Sequence, residues 1–175
     1  VQGSAAQRQT RSILSVNYVK WYAEFTIYFT ARSGSYPYIG VGPNNNFEQS
    51  WVGNRNVAWN TAGVIYRSGN TFSSGNPTYA NGDTISVAMN LDLATPQVWW
   101  AKNGSYIVSG NPATDTNGVN IPTSYTGYYD FIVSLFSQAG GIWDANFGQR
   151  AFAHTPPTGY QPLQKEKITI TPSIT

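Results

Sequence analysis

The chain has 175 residues, a net charge of +2, no cysteine, and 10% charged against 15% aromatic residues. A chain this long buries roughly two thirds of its unfolded surface, so it needs no disulfide staple, and without thiols it offers no thiolate metal site. The small charge makes no electrostatic case for nucleic acid, the apolar content argues against disorder, and no apolar run is long enough to span a membrane.

Val1 to Arg11 is polar and lacks periodicity, which predicts an arm or linker. No signal peptide is visible. Position 1 is Val and the single methionine is Met89, so the chain reads as processed or as a piece of something longer. From Trp21 the pattern changes. Trp21, Ala23, Phe25, Ile27 and Phe29 alternate with Tyr22, Glu24, Thr26, Tyr28 and Thr30, a period of two that predicts a strand. Tyr36 to Val41 predicts a second strand, ended by Gly42-Pro43 and Asn44-Asn45-Asn46. Val57 to Trp59 and Val64 to Tyr66 predict short strands about a turn. Asn81-Gly82-Asp83 is a turn signal. After it Ile85, Val87, Met89 and Leu91 alternate with Ser86, Ala88 and Asn90. Val98 to Lys102 leads to Asn103-Gly104, a hairpin cue. Gly110 to Ser124 reads as a long polar loop. Phe131 to Phe136 and Ile142 to Phe147 form the last core pair, and Lys165 to Thr175 alternates again, as one more strand or the lead into a following domain. No helical period is sustained and no segment repeats. Many short strands between turn signals predict an all-β jelly-roll sandwich. The boundaries are an arm over 1–14, a sandwich over 15–164 and a strand or linker over 165–175.

Five stretches in order then carry a resemblance. They are Lys20-Trp21-Tyr22-Ala23-Glu24-Phe25, Tyr38-Ile39-Gly40-Val41-Gly42, Gly82-Asp83 through Leu91-Asp92-Leu93, Val98-Trp99-Trp100-Ala101-Lys102-Asn103-Gly104, and Phe147-Gly148 with Pro156-Pro157-Thr158-Gly159-Tyr160. In this order they resemble SPRY domains over about Lys20 to Leu163. The resemblance implies a concanavalin A-like sandwich of two antiparallel sheets whose members mostly bind proteins or peptides through loops at one edge. Relatives in the wider superfold bind sugars. The loop Ser109 to Thr114 and the ending Gly148 to Phe152 most resemble versions in bacteriophage and environmental viral proteins.

Catalytic chemistry finds little support. A glycosidase needs two facing carboxylates, whereas Glu24, Glu48, Glu166, Asp83, Asp92, Asp115, Asp130 and Asp144 are dispersed. His154 is the single histidine, and although Ser134 or Ser137 could complete a triad, the resemblance gives its position a packing role. A lone histidine without cysteine excludes the usual zinc and iron sites. Asn111 to Asn120 offers one carboxylate, Asp115, which is thin for calcium. No phosphate loop precedes a helix, so no cofactor is expected, and Gly40 and Gly42 read as strand glycines where backbones approach.

The aromatic residues offer more. Trp21, Phe25, Trp143 and Phe147 fall at core parity. Trp99 and Trp100 are adjacent and must point to opposite faces. Tyr36, Tyr38, Trp51, Trp59, Tyr66 and Trp99, with Arg55 and Arg67 as donors, are the candidate ligand-binding residues, because a flat aromatic face with a polar handle stacks on sugars or anchors interfaces. The expected function is non-enzymatic: a virion module (capsid decoration, fibre or tail-associated) docking on other subunits in a homo-oligomeric assembly at the virion surface. The alternatives are an extracellular adhesin binding host-surface glycans or proteins, and a SPRY adaptor binding a short peptide.

Overall fold

The computed structural model describes residues 8–11, 16, 19–29, 36–44, 56–123, 127–135 and 141–163. They form two sheets. Sheet A runs in the order β1 (Arg8–Arg11), β11 (Tyr129–Leu135), β3 (Tyr38–Pro43), β4 (Val57–Asn60), β5 (Ile65–Arg67) and β6 (Asn70–Ser73). Sheet B runs β10 (Val119–Asn120), β8 (Gln97–Lys102), β7 (Thr84–Asn90), β2 (Lys20–Phe29) and β12 (Gly141–Asn146). β9 (Ser105–Tyr106) pairs with β8, and β13 (Gln161–Pro162) pairs in parallel with β2. The other strand pairs are antiparallel.

The alternation along β2 divides its residues as expected. Ala23, Phe25 and Ile27 are buried in the core between the sheets, with Trp21 partly buried against it. Val87 and Met89 of β7, Ile39 and Val41 of β3, and Phe131 of β11 join them. Phe25 meets Phe147 edge-on at 5.6 Å and Phe131 at 6.1 Å, so one aromatic knot ties β2 to a strand of the other sheet. Trp143 and Phe147 pack on this core at the expected parity. Asp144 faces out and meets Arg150 at 2.7 Å. The Asn103-Gly104 turn has φ of 47° and 84°, the left-handed pair that a two-residue hairpin requires. Gly40 is a close approach: a Cβ there would overlap the Val57 carbonyl oxygen of β4.

Three expectations change. Arg8–Arg11, placed in the arm, is an edge strand registered on Ile132 to Leu135. An edge strand is held by its backbone and needs no apolar alternation. The last core pair is not a ladder: β11 joins β3 in sheet A and β12 joins β2 in sheet B, so the chain crosses between layers after Leu135. The polar loop after Gly110 is structured, with a 3-10 turn at Pro112–Thr114 followed by β10. The segment 165–175 lies outside the described residues.

Candidate functional site

The outer face of sheet B is sealed at its centre. Tyr22, Ala88, Trp99 and Tyr160 form a second buried cluster, with Leu93, Tyr106 and Phe152 packed on it. Trp100 points into the main core and Trp99 away from it, as adjacency demands. Trp99 is nevertheless only 2% exposed. The loop after β9 folds over it, and its indole N–H donates to the Thr116 carbonyl at 2.8 Å. Trp99 is therefore no ligand platform in this conformation. Burial also holds the hydroxyls of Tyr22, Tyr106 and Tyr160 neutral well above the ordinary tyrosine range.

The described carboxylates have structural partners. Glu24, 3% exposed, accepts from the backbone N–H groups of Ala153 and His154 at 2.7 and 2.8 Å and from the Tyr22 hydroxyl at 3.0 Å. The Glu of the Trp-x-x-Glu stretch thus clips the closing segment onto sheet B. Asp92 caps the Val19 N–H at 2.7 Å. Asp115 is held by Lys20 Nζ at 3.2 Å and by Asn90 Nδ2 at 2.7 Å, so the one carboxylate of the loop considered for calcium is already engaged. Asp83 bridges to Lys102 at 3.0 Å and accepts from Ala80 N–H and Asn103 Nδ2. Burial pushes this carboxyl up, but the Ala80 and Asn103 donors and Lys102 outweigh it and leave it below the usual range. His154 packs against Gly104 on sheet B, whereas Ser134 belongs to sheet A, so the two are in different layers. Ser137 lies outside the described residues.

The remaining candidates gather on sheet A. Tyr38 and Tyr66 meet edge-on at 5.8 Å on the outer face, over Ala58. Tyr38 is buried, which raises its hydroxyl, while Tyr66 is half-buried. Tyr36 is 42% exposed just ahead of β3. Trp59 is a correction: it is fully buried, paired with Ile39 and Ile65 of its neighbours and edge-on to Tyr79 at 4.7 Å, so it belongs to the core. Arg67 ends β5 at the tight turn Ser68-Gly69, both at positive φ, and its guanidinium sits 5.0 Å over the ring of Phe72 on β6. Phe72 is 44% exposed. No carboxylate among the described residues pairs with Arg67. The connection that carries Trp51 and Arg55 lies outside the described residues. Its anchors, Asn44 after β3 and Asn56 before β4, leave sheet A at the end where Arg67 pairs with Val57.

Phe72 was not among the sequence candidates. It sits in Gly69-Asn70-Thr71-Phe72-Ser73, where no alternation marks it. The available signal was the Ser68-Gly69 pair, which reads as a two-residue hairpin and brings β6 back alongside Arg67. The result is a corner, at the edge of sheet A, with an exposed ring and a cation over it, while Tyr66, the neighbouring residue of β5, faces the other side with Tyr38.

The sandwich is similar to the SPRY domain of human HERC1, with a TM-score of 0.60, 17% identity, and coverage of 85% of this chain and 87% of that one. A second human SPRY domain matches with a TM-score of 0.60, 19% identity, and coverage of 85% and 89%. The chain has the SPRY-type, concanavalin A-like fold. No protein-family model and no curated protein matches the sequence.

Proposed function

We propose that this chain is a non-enzymatic docking module that holds a protein partner at the β5–β6 corner of sheet A. One observation carries the reading: Arg67 stacked on the exposed ring of Phe72, with no described carboxylate partner. An aromatic ring and an arginine side by side are the residue types that dominate binding energy at interfaces. The cation–π contact holds the guanidinium over the ring, so less rotamer freedom remains to be lost on binding. A partner segment carrying a carboxylate beside an apolar side chain would satisfy both groups. The SPRY-type fold is in keeping with such a role, although fold alone assigns none.

The finer reading makes that partner another subunit of a virion, with the domain displayed at the particle surface. It rests on the viral resemblance of Ser109 to Thr114 and Gly148 to Phe152. Sugar binding is the weaker alternative, because Trp59 and Trp99 present no free face.

Selection of peptides from a random display library on the full chain tests docking. Enriched peptides should contain acidic residues, and Arg67→Ala or Phe72→Ala should weaken them by roughly tenfold or more, as expected for interface anchors. Peptides indifferent to both substitutions would place the interface elsewhere. A glycan array probed with the same variants separates the adhesin reading. Mass spectrometry of purified particles, with cross-linking to neighbouring subunits, tests the virion reading.

A further inference from the structure

Asparagine is a thermolabile residue, and most so before glycine. Glycine has no Cβ to shield its nitrogen, so that nitrogen can attack the carbonyl carbon of the asparagine side chain. The pair occurs at Asn81-Gly82, Asn103-Gly104 and Asn117-Gly118. The fold treats the three differently. At the first, the nucleophile is engaged: Gly82 N–H donates to the Ile27 carbonyl at 2.8 Å, inside a turn closed by Asp83 N–H on the Ala80 carbonyl. At the second, the electrophile is pinned at both ends: Asn103 Oδ1 accepts from Thr84 N–H at 2.9 Å and Nδ2 donates to Asp83 at 2.7 Å. At the third, Asn117 is exposed and Nδ2 donates to the Ser109 carbonyl at 3.1 Å, while among the described residues nothing engages Oδ1 or the Gly118 N–H. The loop around it also holds Val108, Ser109, Asp115 and Asn117 at positive φ between 51° and 56°. That left-handed backbone costs each of these residues energy and favours local opening.

We infer that Asn117 is the residue at which this chain is first modified covalently, and that the product loosens the loop over Trp99. In the step, the Gly118 nitrogen gives up its proton to solvent and bonds to Asn117 Cγ. The Cγ–Nδ2 bond breaks, Nδ2 takes up a proton and leaves as ammonia, and a cyclic imide remains. Water then opens the imide at one of its two carbonyl carbons. One opening gives aspartate, and the other gives isoaspartate, whose main chain runs through Cβ and Cγ and is one atom longer. Nothing is oxidised or reduced: one water enters and one ammonia leaves. The extra atom falls between two anchors. Thr116, on one side, accepts the Trp99 indole N–H at 2.8 Å. Gly118, on the other, lies so near the same ring that a Cβ would stand 2.5 Å from Trp99 Cζ2. A chain lengthened between these anchors must lift from Trp99, which is 2% exposed while the loop is in place.

The test is incubation of the full chain at mildly alkaline pH, followed by peptide mapping with tandem mass spectrometry and enzymatic methyl labelling of isoaspartate. In the folded chain, Asn117 should convert about tenfold faster than Asn81 or Asn103, and in urea, where local protection is gone, the three should convert at similar rates. Asn117→Gln should abolish the fast conversion, because its longer side chain closes a larger ring more slowly. In the aged chain the Trp99 indole N–H should exchange with solvent about tenfold faster than in the fresh one. Asn117→Asp, which has the new charge without the extra atom, should leave that N–H protected. Conversion that begins at Asn81 or Asn103, or that runs equally at all three in the folded chain, would overturn the inference. So would isoaspartate at position 117 that leaves Trp99 exchange unchanged.

Discussion

Glu24 shows what one side chain does in this fold. Its carboxylate joins Tyr22, on its own strand, to the N–H groups of residues 129 and 130 positions away. Glu24→Ala removes a buried acceptor and leaves those donors without it, which should cost about 3 kcal/mol in urea unfolding. Asp83 makes a pH-dependent contribution. Its folded pKa lies below the ordinary value, so it stabilises fully above about pH 4 and progressively less as pH falls through the lowered folded value. Asp83→Asn should flatten the acid limb of a plot of melting temperature against pH, while the neutral region moves less. Arg67 and Phe72 work at the same scale but through the partner, so their substitution should leave melting temperature nearly unchanged while binding falls.

Among the elements, β3 depends on the absence of a side chain. A Cβ on Gly40 would meet the β4 main chain at Val57 and Ala58, which cannot yield without breaking the ladder. Gly40→Ala should therefore destabilise by about 2 kcal/mol or more, read from denaturant midpoints. The strands most legible in the sequence were those whose core-facing residues are large and apolar and whose other residues are largely polar or small, such as β7, because that contrast shows as a period of two. β1 and β6 were illegible because edge strands are held by backbone pairing. Alternation also says which residues face inward without saying which sheet a strand joins, so the crossing between β11 and β12 was hidden. The candidate site was legible in part for the same reason. Arg67 could be recognised as a donor, and adjacency required one of Trp99 and Trp100 to turn away from the core without saying which. The loop that covers Trp99, however, is held by main-chain acceptors such as Thr116 C=O, which any residue type supplies.

At the scale of the whole molecule, two layers enclose a core rich in aromatic residues, and a second apolar layer is roofed by the closing segment. Burial raises the hydroxyls of Tyr22, Tyr38, Tyr79, Tyr106 and Tyr160, drawn from both sheets and the connections between them. A raised tyrosine pKa means that stability is intact below about pH 10 and is lost as pH rises through the folded values. Absorbance titration near 295 nm should show this buried group ionising in one steep step that coincides with loss of tertiary circular dichroism. A gradual titration of all tyrosines would contradict this arrangement.

The roof over Trp99 also has a consequence for biosynthesis. Tyr22, Ala88 and Trp99 lie on strands made early, but Phe152 and Tyr160, which close over them, are among the last described residues to be made. At translation speeds of roughly 5–20 residues per second, that apolar face waits several seconds after β8 appears for its cover. A ribosome stalled between β12 and β13 would display that face without its Tyr160 cover, Trp99 being shielded by the loop after β9. The nascent protein should therefore bind chaperones most strongly in that interval and release them once Tyr160 clears the exit tunnel.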